Sequence, residues 1–323
     1  MRRTAALTVA LAALMAQPAL ALAPGAPRKV RTARPDDAQP RHGALMEDWM
    51  LHLVDPRSRA HLALRVFRSP DEGSGARLDV LTGGRGLSAT DIPFSPRITH
   101  RGRSWTVRFS SPSSSGEIRL GRSRPGVTAG QWQLGGEAGY AEHVTLSWST
   151  PVATSRVSGR VRIGDRSLRL RGWRGSLEHR WGTISILWRA WDHAGTALVH
   201  ARGGSAWMLQ GINRRDFLTG AGARDAFWLG LLVHATPRRT TFCRPRTVRR
   251  GWLVSLDGPV AVRTITASCG RRRVRFRRIP DASVPGNSFG RLGDESRASA
   301  RPRGPAWIRY AGPPLEVTGS RHG

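Results

Sequence analysis

The chain of 323 residues carries 52 Lys plus Arg against 22 Asp plus Glu, a formal net charge of +30, and 39% of its residues are apolar. This is the composition of a chain that buries a core. Its 37 Gly and 21 Pro break up any long apolar stretch of 3.6-residue period, which excludes a helical bundle, a coiled coil and a multi-span membrane protein.

Lys29 is the only lysine, so arginine supplies nearly all the positive charge. Such usage follows from a GC-rich coding bias, or marks adhesion to an anionic partner such as an envelope polymer or a membrane surface. Even scatter favours the first and one contiguous face the second. Only the run Arg271–Arg278 is dense, so nucleic acid is not expected as a partner.

In chain order, Arg2 and Arg3 precede an apolar run from Ala5 to Met15, and Ala19-Leu20-Ala21 follows as a small-x-small site. The pattern predicts a secretory signal peptide over 1–21, cut after Ala21, and delivery to the periplasm, the cell envelope or the exterior. In an oxidising compartment Cys243 and Cys269 are expected to bond. Residues 22–44 are rich in Pro, Ala and charge and read as a linker without fixed structure.

From Met46 onward the signals are for strands. Met50–Val54, His61–Phe67 and Ser104–Phe109 are short period-2 runs bounded by turn residues. The clearest hairpin is Val161–Leu170, with Val161, Ile163, Leu168 and Leu170 inward and arginines outward. Further strands are expected at Ala197–Ala201, Ala206–Leu209, Phe227–His234, Trp252–Leu256, Val260–Ala267 and Val274–Phe276. Ser110–Ser115 and Gly286–Pro305 read as long loops. Strands at this spacing imply an all-β sandwich or an up-and-down barrel. A boundary is expected near residue 150, giving units 45–150 and 151–318.

There are 12 Trp but only 2 Tyr, and eight of the Trp fall between Trp132 and Trp228. A Trp-rich all-β region suits an apolar cavity for a small ligand. The same stretch contains Trp173-Arg174-Gly175-Ser176-Leu177-Glu178-His179-Arg180-Trp181-Gly182. On a strand, His179 and Trp181 share one face and Glu178 and Arg180 the other. No nucleophile elbow, zinc-protease helix, phosphate-binding loop or dinucleotide fingerprint is present.

The order of hairpin, Gly172, Gly175, His179, Trp181 and Gly182 resembles the lipocalin-like superfamily of carotenoid 1,2-hydratase (hydroxyneurosporene synthase) and AttH-like proteins. Glu178 stands where that signature has Asp, and Glu47-Asp48-Trp49 resembles the opening of its first barrel strand. The resemblance implies two consecutive lipocalin-like antiparallel barrels, a lipophilic ligand, no metal and no organic cofactor. It assigns His179, Trp181 and Asp192 to proton transfer and cation stabilisation. Trp49, Trp148, Glu178, Trp188, Trp191 and Trp207 would line the ligand site. In the hydratases an aromatic-x-Asp pattern holds the acid; here Ala190 takes the aromatic's place. Three readings stay open: an exported binder of a small hydrophobic (lipid or terpenoid) ligand, a cofactor-free hydratase, cyclase or isomerase acting on a C=C bond, and a basic envelope adhesion protein.

Overall fold

The computed structural model describes residues 29–311, apart from 42–43, 45, 59, 70–72, 82–86, 93–95, 134–144, 183–190, 215–227, 246, 256–257 and 289–290. Twelve strands form one sheet: β1 (Lys29–Thr32), β2 (Met46–Val54), β3 (His61–Ser69), β4 (Gly73–Leu81), β5 (Leu87–Ile92), β6 (Arg97–Arg101), β7 (Ser104–Ser110), β8 (Ser114–Arg124), β9 (Val127–Gln133), β10 (Thr145–Ile163), β11 (Arg166–Arg169) and β12 (Trp173–Gly182). Nine form the other: β13 (Trp191–Ala201), β14 (Ser205–Arg214), β15 (Trp228–Ala235), β16 (Thr240–Cys243), β17 (Thr247–Ser255), β18 (Gly258–Cys269), β19 (Arg272–Ser288), β20 (Arg291–Arg301) and β21 (Ala306–Ala311). The helical pieces among the described residues are 3-10 turns, at Pro35–Ala38 and Arg202–Gly204.

The first sheet runs β5-β4-β3-β2-β12-β10-β8-β7-β6, with β1, β9 and β11 beside it. Period-2 alternation drives it. Along β7, Trp105, Val107 and Phe109 are buried while Ser104, Arg108 and Ser110 face water. These residues join Leu51, Leu53, Leu62, Leu64, Leu78, Ile118, Leu120, Val157 and Leu177 in one core. Strands distant in the sheet order share that core, so the sheet curls on itself. Burying each such side chain contributes about 1.5–3 kcal/mol. The hairpin expected at Val161–Leu170 forms between β10 and β11, with Val161 opposite Leu168 and both against the core.

β10 is long because it serves two neighbours along each edge, β12 and β11 on one and β9 and β8 on the other. It pairs with β9 over Thr145–Ser149 and with β8 over Thr154–Ile163. Register shifts between Ser149 and Ser155 separate the two pairings. Gly159 has φ +125°, and a Cβ there would stand 2.0 Å from the Glu117 carbonyl oxygen, so only glycine fits.

The second sheet runs β16-β15-β14-β13-β21-β20-β19-β18-β17 around Val199, Leu209, Leu232, Ile265, Phe276 and Ile308. Its edge strands β16 and β17 are not paired with each other. The Cys243–Cys269 disulfide, with Cα atoms 6.4 Å apart, ties β16 to β18 across that seam. Arg272 Nη1 donates to Thr241 Oγ1 at 3.0 Å across the same seam.

Three expectations need revision. Ser110–Ser115 is a tight hairpin turn rather than a long loop: the Ser111 hydroxyl donates to the Ser114 carbonyl at 3.1 Å and accepts from its amide at 3.0 Å. Most of Gly286–Pro305 is strand, since β20 is laddered on both sides, to β19 and β21, which overrides its weak propensity. Residues 29–38, read as linker, form β1 and a 3-10 turn, because Thr32 and its neighbours pair with β9 and Asp37 is bound by polar groups around it. Residue 150 lies inside β10, and the change of sheet falls between Gly182 and Trp191. The expected signal peptide lies outside the described residues.

The outer face of β2, β10 and β12 packs on the second sheet. His52 stacks on Trp307 at 3.6 Å between centroids. The Thr196 hydroxyl donates to Glu178 Oε2 at 3.1 Å, and Gln210 Nε2 to Thr150 Oγ1 at 2.6 Å. His200 Nδ1 meets Thr154 Oγ1 at 2.9 Å.

Candidate functional site

Alternation along β12 turns Trp173, Leu177, His179 and Trp181 to the inner face of the first sheet, and Ser176, Glu178 and Arg180 to the outer face. Antiparallel pairing with β2 sets Trp49 opposite His179 and Glu47 opposite Trp181. Pairing with β10 sets Ser149 opposite His179 on the other side. His179 is therefore held at one end of the inner face by three strands.

The imidazole is fully buried between two indoles. Trp49 stacks on it at 4.6 Å with an interplanar angle of 5°, and Trp181 at 4.6 Å and 28°. Its Nδ1 lies 2.6 Å from the Asp37 carbonyl oxygen and its Nε2 lies 2.8 Å from Glu47 Oε1. Both ring nitrogens thus have an oxygen partner. Glu47 also accepts from the Arg41 amide at 2.7 Å and pairs with Arg68 at 3.1 Å. A ring between two indoles gains from stacking on both faces.

The 3-10 turn Pro35–Ala38 closes this end of the sheet. It supplies the Asp37 carbonyl to His179, and the Ala38 carbonyl accepts from Trp49 Nε1 at 2.8 Å. The Asp37 carboxylate anchors the turn through Arg31, the Arg34 amide and the Thr128 hydroxyl, all within 2.7 Å. Burial pushes the Asp37 carboxyl up, but those donors outweigh it and hold it below the usual range. Thr128 Oγ1 also lies 2.8 Å from Ser149 Oγ. The Arg41 guanidinium lies 4.9 Å from the Trp181 ring centroid, and Trp181 remains partly exposed.

The other sequence-derived candidates lie elsewhere. Glu178 and Trp148 face outward, where Trp148 Nε1 lies 3.3 Å from Glu178 Oε2 and Arg180 sits 5.4 Å above the Trp148 ring. Arg180 also donates through Nε to Asp48 at 2.7 Å. Trp207 belongs to the second sheet and stacks on His234 at 3.9 Å. Trp188 and the side chains of Trp191 and Asp192 lie outside the described residues. The structure thus brings together His179, Trp181 and Trp49, and separates them from Trp148, Glu178 and Trp207.

Asp37, Arg41 and Arg68 complete the site without having been singled out, and Glu47, noted only as part of the first-strand opening, joins them. Glu47 shares a face with Trp49 by alternation, but its meeting with His179 comes from pairing across 132 residues of chain. Chemically, the site offers a buried imidazole walled by aromatic faces and a partly exposed indole at its rim.

No family model and no curated protein matches the chain. Solved structures do. An AttH-like protein from Nitrosomonas europaea superposes with a TM-score of 0.60 at 12% identity, over 90% of this chain and 99% of that one. CghA in complex with Sch210972 gives 0.52 at 10% identity, over 84% of this chain and 89% of that one. Kievitone hydratase from Nectria haematococca gives 0.51 at 7% identity, over 91% and 95%. The chain therefore has the all-β, lipocalin-like fold of AttH-like and hydratase-type proteins.

Proposed function

We propose that this protein binds a small hydrophobic molecule against the rim of the first sheet, with Trp181 as its main contact and His179 as the buried ring that holds that indole in place. The observation that carries this reading is the buried imidazole clamped between Trp49 and a partly exposed Trp181. A partly exposed indole on a rigid stack offers a large apolar surface at little entropic cost. The same reading includes export: residues 1–21 have the pattern of a signal peptide, and a disulfide suits an oxidising compartment.

The test is native mass spectrometry of protein purified gently from its own host, followed by fluorescence titration of the released lipophile into wild type and Trp181→Ala. Trp181→Ala should weaken binding by about 1–3 kcal/mol, since it removes a large apolar contact. An empty protein, or equal binding by both, would overturn the reading.

A second reading is favoured by the placing of an imidazole between two indoles. A cationic imidazole beside two indoles can protonate an alkene carbon and shield the resulting cation, with water then adding to the other carbon and releasing a proton. Incorporation of heavy oxygen from labelled water into the released lipophile would support this, and an unchanged lipophile would leave binding alone.

A further inference from the structure

Away from His179, a cleft of about 640 Å³ opens between the two sheets. One wall holds Arg122 and Arg124 at the end of β8, Arg156 in β10 and Arg174 in β12. The facing wall is the turn Gly203-Gly204, which carries no side chains. No Asp or Glu lines the cleft among the described residues, and none pairs with any of these four arginines.

The arrangement opposes ordinary folding preference. Arg156 and Arg174 are direct cross-strand partners, and like charges directly opposite destabilise a sheet. Arg174 is half-buried, and burial, with the Arg156 charge added, pushes its guanidinium below the usual range. Some arginines elsewhere do have acidic partners: Arg108 and Arg119 share Glu117, and Arg31 holds Asp37. Arg122 adopts φ +49°, the positive value found at no other non-glycine residue described. The opposed glycines both have φ +72°, a backbone that leaves the cleft open to close approach.

We propose that this cleft is a binding site for a phosphoryl oxyanion, most suitably a diphosphate group. Planar guanidinium forks match phosphate oxygens in paired hydrogen bonds. Four uncompensated arginines balance the charge of a diphosphate, which a chloride or a single carboxylate does not do. The site lies between sheets, apart from His179, and stands whether or not a lipophile binds at Trp181. The diphosphate can arrive free or on a lipid headgroup.

Isothermal titration with inorganic pyrophosphate, on the whole chain, tests this, with phosphatidylcholine vesicles carrying a polyprenyl diphosphate as a second arm. Wild type should bind pyrophosphate, with affinity falling steeply as salt rises. Arg156→Gln and Arg174→Gln should each weaken it at least tenfold. Arg156→Gln should also raise the thermal midpoint of the ligand-free protein, because it removes a repulsion, while reducing the further rise that pyrophosphate gives. That opposition separates a ligand site from a purely structural role. If vesicles bind and free pyrophosphate does not, and the double variant abolishes vesicle binding, the phosphoryl group is that of a lipid. No response in either arm, or an equal response from wild type and double variant, overturns the proposal.

Discussion

Replacing His179 by alanine removes a fully buried ring, both of its hydrogen bonds and its two stacking partners at once. Leaving a buried polar group without its partner costs about 1–3 kcal/mol. Glu47 would keep Arg68 and the Arg41 amide, but it and the Asp37 carbonyl would both lose the ring, which places the loss at the upper end, about 3 kcal/mol. Loss of the aromatic contacts adds about 1 kcal/mol. A total near 4 kcal/mol is a large share of the roughly 5–15 kcal/mol that a domain has. Urea unfolding followed by tryptophan fluorescence reads it, with an unchanged slope confirming that stability alone moved. Glu47→Gln and the double variant complete the cycle, and a coupling of about 1 kcal/mol or more is expected for groups in direct contact. A cost under about 1 kcal/mol for His179→Ala, or additive single effects, would refute the description of a pinned ring.

Other outcomes follow from separate features. Cys243→Ser with Cys269→Ser should cost about 3.5 kcal/mol by loop entropy for the sequence separation of 26, and denatured, unreduced wild type should titrate no free thiol. His200 is buried, and burial first, then Arg174 and His61, push its imidazole down to about 3 from an ordinary 6.5. The folded state therefore binds fewer protons than the unfolded state, so the contribution of His200 is whole above pH 6.5 and is lost as pH falls from there towards 3. Between pH 6 and 4.5 the urea midpoint should fall in wild type, and His200→Gln should flatten the decline; an unchanged slope would refute this. His234, also lowered chiefly by burial, adds a smaller share in the same window. Trp49→Phe keeps the stack but loses the bond to the Ala38 carbonyl, and should cost about 0.5–1.5 kcal/mol in the same urea assay.

Local pattern was enough to place His179 and Trp181 on one face, because strand alternation needs only neighbours. The same rule put Glu178 on the opposite face, so its assignment to the ligand wall conflicted with alternation already visible in the sequence. What local pattern cannot supply is pairing. Trp148 is a strand residue like Trp49, yet its register with Arg180 turns it to the outer face. Asp37 was hidden by composition: Pro, Ala and charge resemble a linker, and only Arg31 and Thr128 reveal what the turn is for. Strand β20, rich in Arg, Ser and Ala, carries weak propensity and is fixed by neighbours on both sides.

The turn Pro35–Ala38 has the standing of a ligand already in place. It meets His179 and Trp49 through backbone carbonyls, and it is joined to β2 by a short connection. A tethered group of this kind has an effective concentration on the order of millimolar. Any molecule that reaches deeper than Trp181 must displace it, so its observed affinity is its intrinsic affinity reduced by that internal competition. Cutting the chain between Ala38 and Met46 turns the competition into one between separate molecules, which dilution then decides.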